Sequence, residues 1–103
     1  MTRDEKLQLL KNWKKCYENN EALFKSLKPI FGNVAESPIY TQVWNCFDEL
    51  TVTTEKLLGS DYTWLDWYCW ENEMGKKGSD AGYGGNIKPI KTLDDLLDLL
   101  EKK

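Results

Sequence analysis

Hydrophobic residues recur every three or four positions along most of this chain, which is the spacing of amphipathic helices. The first such run follows Thr2 and Glu5, whose three-residue separation is the capping-box pattern of a helix start. Asn19-Asn20 interrupts the run, so the first helix is expected to end there. Its inward face is predicted to comprise Leu7, Leu10, Trp13 and Tyr17.

A second, shorter helix is predicted over residues 21–31. Pro29 lacks a backbone donor and disfavours a helical residue before it, so the last turn is expected to be irregular and to stop at Gly32. The side chains expected to face inward from this helix are Leu23, Phe24, Leu27 and Phe31.

Ser37-Pro38 marks the clearest helix start, because serine caps well and proline at the first position loses no needed hydrogen bond. Gly59 supplies the stop. The apolar stripe between them is wide, which indicates contact with several neighbours. Its members are Tyr40, Val43, Trp44, Phe47, Leu50, Thr51, Thr54, Leu57 and Leu58.

The end of the chain predicts one more helix, over residues 93–101. Thr92 with Asp95 three positions later is a capping pattern, and a leucine face follows it. Before it, five glycines between Gly75 and Asn86 predict a loop, and the residues up to Ile90 allow a short extended segment. The leucines expected to point inward are Leu93, Leu96, Leu97 and Leu100.

The stretch from Trp64 to Gly75 concentrates three of the five tryptophans. It is expected to form a helix that starts at Ser60 or Asp61 and packs as an antiparallel hairpin on the preceding one. On a helix its side chains divide into two groups. One face carries Trp64, Trp67 and Tyr68 with Glu71 in their midst and Asn72 at the edge, and the opposite side carries Trp70 and Met74.

Glu71 and Asn72 allow three interpretations. In the first they form a buried network, because a carboxylate on an aromatic face needs a hydrogen-bond partner when it is buried. In the second they line a pocket with Trp64, Trp67 and Tyr68, suited to a cationic or amide-bearing ligand. The third is a partly exposed patch at a protein interface.

Trp70 with Met74 is the stronger candidate for contact with another protein, because exposed tryptophan is frequent at interface hot spots. The glycine-rich loop would add Lys76, Lys77 and Tyr83 to this surface. The competing interpretation is that Trp70 is covered by that loop or by the last helix.

Composition narrows the classes of function. The 103 residues suit one domain, 1–103, and a net charge of −3 argues against nucleic-acid binding, although the lysines of the first helix keep it as an alternative. The chain has no histidine, no zinc spacing and no phosphate-binding motif, so we expect neither catalysis nor a cofactor or metal.

No apolar run is long enough to span a membrane, and a charged N-terminus argues against a signal peptide. The cysteines Cys16, Cys46 and Cys69 are expected to be reduced thiols in a packed cytoplasmic interior.

Two regions resemble a group of small, uncharacterised proteins encoded by temperate phages and prophages. The first runs from Trp13-x-x-Cys16-Tyr17-x-x-Asn20 through Leu23-Phe24 and Phe31-Gly32 to Glu36-Ser37-Pro38. The second is Trp64-Leu65-x-Trp67-Tyr68-x-x-Glu71-Asn72-x-x-Gly75, with Gly78 and Leu93-x-x-Leu96 further on. The resemblance implies an accessory protein in the cytoplasm of a bacterial host, and it carries over no activity.

Together these features predict an all-α domain of about five helices that acts by binding a protein. Inhibition of a bacterial host defence or regulatory protein is one form of that function. A homodimer through the Trp70 surface is compatible with it. The alternative functions are small-ligand binding near Glu71 and Asn72, and weak nucleic-acid contact through Lys6, Lys11, Lys14 and Lys15.

Overall fold

The computed structural model describes residues 1–59, 63–76 and 90–101, and all side chains in these ranges except those of Thr63 and Glu71. Every regular element in these ranges is helical, which confirms the all-α class. The described elements are α1 (Arg3–Phe31), a 3₁₀ turn (Val34–Glu36), α2 (Pro38–Leu58), α3 (Thr63–Asp66), a π-helical turn (Trp67–Glu71) and α4 (Leu93–Glu101). The described ranges thus hold four α-helices, where the sequence predicted about five.

Helix α1 begins with the predicted capping box, in which the Thr2 hydroxyl accepts from the Glu5 N–H and the Glu5 carboxylate accepts from the Thr2 N–H. The predicted end at Asn19-Asn20 is wrong, since the first two predicted helices form one continuous helix. Asparagine inside a helix costs only a few tenths of a kcal/mol more than average residues, roughly. Packing against α2 on both sides of this point, through Tyr17 and Phe24, outweighs that cost.

Pro29 does not break α1, and the helix runs regularly to Phe31. Gly32 ends it at a φ of 69°, and its N–H donates to the Lys28 carbonyl over 2.8 Å. Two residues predicted to face inward, Leu23 and Phe31, are exposed instead, because this end of α1 extends beyond the elements that cover its other half.

Helix α2 starts and stops as predicted. The Ser37 hydroxyl accepts from the Tyr40 N–H, Pro38 occupies the first position, and Gly59 adopts the left-handed conformation at φ 73°. Three ring pairs show that α2 runs antiparallel to α1, because the residue numbers of the paired rings increase along α1 while they decrease along α2. These pairs are Trp13–Phe47, Tyr17–Trp44 and Phe24–Tyr40, at 5.8, 5.4 and 5.0 Å between centroids.

The wide apolar stripe of α2 is only partly covered. Leu50 and Leu57, both predicted to face inward, are 37% and 53% exposed. The side of α2 that packs on α1 and α3 instead includes Glu55, which is 1% exposed.

The aromatic stretch departs most from its prediction. Its expected start at Ser60 or Asp61 lies outside the described residues, and the helix does not continue to Gly75. After α3 the backbone widens into the π-helical turn, and Glu73 and Met74 adopt positive φ angles of 48° and 56°. Within this turn Trp67, Tyr68 and Cys69, three consecutive side chains, are all buried in the core.

Helix α4 closes the core as predicted. Thr92 accepts from the Asp95 N–H, and α4 lies on α1, where Arg3 forms ion pairs with Asp98 and Glu101 at 2.8 Å. The buried leucines of α4 are Leu96, Leu97 and Leu100, and Leu93 is partly buried. Most of the predicted glycine-rich loop and extended segment lies outside the described residues, but Ile90 is completely buried.

The three cysteines are free, and only Cys69 lies in the packed interior expected for all of them. Burial raises the pKa of the Cys69 thiol from its ordinary value of 9.0 to about 12, with Asp66 contributing further. The folded chain therefore keeps a proton that the unfolded chain releases, so the free energy of unfolding falls as the pH rises from 9 towards 12.

We expect Cys69→Ala to make the free energy of unfolding less dependent on pH above pH 9, by about 1.4 kcal/mol per pH unit. Urea denaturation between about pH 8 and pH 10.5 measures this slope. Cys46→Ala is the matched control, because it makes the same substitution at an exposed position. Equal slopes for wild type and Cys69→Ala would contradict a buried, protonated thiol.

Candidate protein-binding site around Trp70

Trp70 lies on the surface, as expected for a side chain opposite the buried face of the aromatic stretch. It is 47% exposed, and two rings hold the part of the indole that is not in solvent. Tyr17 of α1 meets it edge-on at 6.0 Å and Trp44 of α2 at 5.5 Å, with interplanar angles of 71° and 67°. These geometries are the favourable ones for aromatic pairs, so the indole has a defined orientation.

Trp70 ends a continuous row of ring contacts along the junction of α1 and α2. Each ring in the row touches the next at a centroid distance of 6.0 Å or less. In order, the row is Tyr40, Phe24, Trp44, Tyr17 and Trp70. Because the row links both long helices, a change in the orientation of Trp70 would require repacking of this junction.

Two depressions border the Trp70–Tyr17 pair. One contains Trp70 itself and the carboxylates of Asp48 and Asp66. The other is lined by Tyr17 and by side chains of both charges. These are Lys14, Glu18, Glu21, Lys25, Glu73 and Lys76, and Met74 also lines this depression.

The residues predicted to bind a partner do not all lie on the surface. Trp70 and Lys76 are exposed, but Met74 is only 6% exposed and lies in the floor of a depression, because the chain reverses at Glu73 and Met74. Lys77 and Tyr83 lie outside the described residues. The competing interpretation is that the last helix or the glycine-rich loop covers Trp70. Helix α4 does not cover it, and most of the glycine-rich loop lies outside the described part of the chain.

Tyr17 lines one of the depressions, contacts Trp70 and keeps its hydroxyl proton. Burial raises its pKa above the ordinary value of 10, and a hydrogen bond and charge from Glu21 raise it further. At neutral pH the rim of the site therefore offers a phenol and not a phenolate.

The group proposed as a ligand pocket is largely interior. Trp67, Tyr68 and Asn72 are 4%, 0% and 0% exposed, and the Asn72 amide donates to the Ile90 carbonyl over 2.8 Å. Asn72 therefore fits the buried-network interpretation, because it ties the end of the aromatic stretch to the segment before α4. Trp64 is half-buried, and the Glu71 side chain is not described, so its role stays a prediction.

A buried carboxylate that the sequence analysis missed lies in α2. Glu55 is 1% exposed, and its Oε1 accepts from the Leu65 N–H over 3.0 Å. That N–H belongs to the first turn of α3, where backbone donors have no partner within the helix. The signal was present, because Thr51, Glu55 and Leu58 follow one helical face at positions i, i+4 and i+7.

The described residues include neither a group that could hold a metal ion nor a helix that could cross a membrane. Within the described ranges, no group of three or more histidine, cysteine or carboxylate side chains is close enough to hold a metal ion. None of the described helices has both the length and the apolar character that crossing a membrane requires. Of the α1 lysines, Lys6 lies 3.6 Å from Glu101, while Lys11 and Lys15 are exposed.

No protein-family model, no curated protein and no solved structure matches this chain. Its function therefore has to be argued from its own geometry, and the resemblance to phage-encoded proteins stays a hypothesis.

Proposed function

We propose that this chain is a non-catalytic protein-binding domain and that Trp70 is the centre of its contact surface. The observation that carries the proposal is a half-exposed tryptophan held in one orientation by Tyr17 and Trp44. Following the phage resemblance, the partner is a bacterial host protein, for example a component of a defence or regulatory system.

The energetics favour this role. A tryptophan has about 250 Å² of surface, so covering its exposed half buries roughly 120 Å² and contributes about 3 kcal/mol. Ordering a free side chain on binding costs about 0.5–1.5 kcal/mol, and the ring contacts of Trp70 remove most of that cost. Such pre-ordered aromatic residues are the ones that dominate protein interfaces.

The surroundings of Trp70 add specificity. Asp48 and Asp66 lie on one side, and a depression with both lysine and glutamate side chains lies on the other. A polar and charged rim around an aromatic centre is the usual organisation of a protein interface.

The test is an affinity pull-down from a bacterial lysate, followed by binding measurements with the purified partner. Trp70→Ala should weaken the dissociation constant for that partner at least about tenfold, because most of the aromatic contact area is lost. The variant should stay folded, since Trp70 is half-exposed. Isothermal titration calorimetry and circular dichroism measure the two properties.

Phe31→Ala is the matched control, because Phe31 is also a large aromatic residue and is 46% exposed, close to the 47% of Trp70. It should retain the partner with wild-type affinity. A partner that binds Trp70→Ala and Phe31→Ala equally well would show that Trp70 is not the contact surface.

A further inference from the structure

Five of the eight large hydrophobic side chains that are exposed in the described residues lie on one face of the α1–α2 pair. The five are Leu23, Ile30, Ile39, Leu50 and Leu57. Apolar side chains scattered singly over a surface need no explanation, but a contiguous set marks an interaction surface.

On α1 and α2 this face has a regular spacing. In each helix the positions alternate in steps of four and three residues, which is the 3.5-residue repeat of helices that pack knobs into holes. The two sets are Leu9, Cys16, Asn20, Leu23, Leu27 and Ile30 on α1, where the intervening position, Trp13, is buried in the core, and Ile39, Val43, Cys46, Leu50, Thr53 and Leu57 on α2. We call them together the outer face.

On α2 each residue of the outer face directly precedes a position of a second set with the same spacing. That second set packs against α1 or lies toward it, and consists of Tyr40, Trp44, Phe47, Thr51, Thr54 and Leu58. One residue corresponds to a rotation of about 100°, so α2 has two separate seams. The inner seam is used within the chain, whereas the outer one carries the exposed hydrophobic side chains of α2, which are Ile39, Leu50 and Leu57.

The outer face has no charge. None of its twelve positions is charged, although Asp, Glu, Lys and Arg make up 30% of the chain. An open groove runs between the two helices at its centre, where Cys16 and Asn20 of α1 face Cys46 and Leu50 of α2. A surface without charge offers nothing that selects an oppositely charged partner, but it can pair with an identical surface without repulsion.

We propose that the outer face binds a second copy of this chain, so that two α1–α2 pairs form a four-helix bundle. Two antiparallel helices form one layer of such a bundle, and a second identical layer related by a two-fold axis completes it. The 22 residues from Leu9 to Ile30 span about 31 Å, and two helices are about 20 Å wide, so each copy contributes on the order of 600 Å². The total of about 1,200 Å² lies at the lower limit for stable interfaces.

The dimer leaves the proposed partner site open. Asp48, which lines the depression around Trp70, lies about 180° around α2 from the centre of the outer face. A dimer therefore presents two Trp70 surfaces, and the dimer proposal does not depend on what binds to them.

Analytical ultracentrifugation of the purified chain tests the proposal. At about 100 µM, which is 100-fold above a 1 µM dissociation constant, the wild type should sediment with twice the 12.0 kDa mass of one chain. Leu23→Glu and Leu50→Glu should each reduce this to the mass of a single chain, because a charge would be buried between the layers. Asn45→Glu is the matched control, since this position is exposed, lies off the outer face and receives the same side chain.

A second measurement needs no substitution. Cys46 is exposed on the single chain but lies in the outer face, so its reaction with iodoacetamide should slow at least about tenfold between dilute and concentrated protein. A wild type that keeps the mass of one chain at about 100 µM would overturn the proposal. So would a Cys46 reaction rate that does not depend on concentration, or a dimer that survives both leucine substitutions.

Discussion

Trp13→Ala is expected to lower the free energy of unfolding by about 4 kcal/mol, the upper part of the range for truncating a buried aromatic residue. Trp13 is 1% exposed and lies between Phe47, stacked at 5.8 Å, and Tyr68, tilted at 6.1 Å. It also joins α2 through its indole N–H, which donates to the Thr51 hydroxyl over 2.8 Å. Alanine would leave a cavity at the point where α1, α2 and the π-helical turn meet.

The measurement is urea and thermal unfolding followed by circular dichroism. A loss of about 4 kcal/mol corresponds to a fall in Tm of about 20 °C for a domain of this size. Trp70→Ala is the control, since it makes the same substitution at a half-exposed site and should cost only about 1 kcal/mol. Trp13→Phe separates the hydrogen bond from the packing. Equal losses at Trp13 and Trp70 would contradict the placement of Trp13 in the core.

Gly75→Ala is expected to lower the free energy of unfolding by about 3 kcal/mol, from a strained backbone and a clash together. Gly75 has a φ of 86°, a conformation that residues with a Cβ rarely adopt. An added Cβ would lie 2.6 Å from the Tyr68 hydroxyl oxygen and 3.1 Å from the Lys91 carbonyl oxygen. Neither group moves easily, because Tyr68 is completely buried and the other is backbone.

Gly59→Ala separates the two causes. Gly59 has a similar φ of 73°, but an added Cβ there would meet no atom of the described residues within 4 Å. It should therefore show the backbone cost alone, about 1 kcal/mol. Denaturant unfolding of both variants gives the steric part by difference. A loss at Gly75 no larger than at Gly59 would show that Tyr68 does not pack against this turn.

Tyr68→Phe should recover part of the Gly75→Ala loss, about 1 kcal/mol as a coupling energy in a double-mutant cycle. The recovery is incomplete because the ring carbon bearing the hydroxyl lies 3.1 Å from the added Cβ. By itself Tyr68→Phe should change stability by less than about 1 kcal/mol, since the buried hydroxyl has no hydrogen-bond partner in the described part of the chain. A strongly destabilised Tyr68→Phe would instead reveal a partner for that hydroxyl.

The candidate site was only partly visible in the sequence. Helical spacing places Trp70 opposite the face of Trp67 and Tyr68, which pointed to an outward tryptophan, and Trp70 is exposed. Met74 was assigned to the same surface by helical spacing, and it is buried because the helix had already given way to a turn at Glu73. A spacing argument fails wherever the backbone leaves the geometry that it assumes.

The buried polar residues show the same limit. Because Glu71 lies among aromatic residues, the sequence pointed to it as the buried carboxylate. The carboxylate shown to be buried is Glu55. Its acceptor role depends on Leu65, ten positions further on, whose N–H is brought to it by the turn between α2 and α3. Such a contact has no local signature.

By itself, the sequence determined what depends on a few neighbouring residues. The caps of α1, α2 and α4, the stop at Gly59 and the all-α class all follow from hydrogen bonds and backbone preferences within four residues of each other. Only the tertiary structure decided what depends on packing. Helix α1 continues through Asn19-Asn20, and the chain forms a π-helical turn at Trp67, where three consecutive side chains are buried. Packing also determines which of the two seams of α2 is covered within the chain. Local preferences at these points amount to tenths of a kcal/mol, whereas burying one large side chain contributes about 2 kcal/mol, so packing prevails.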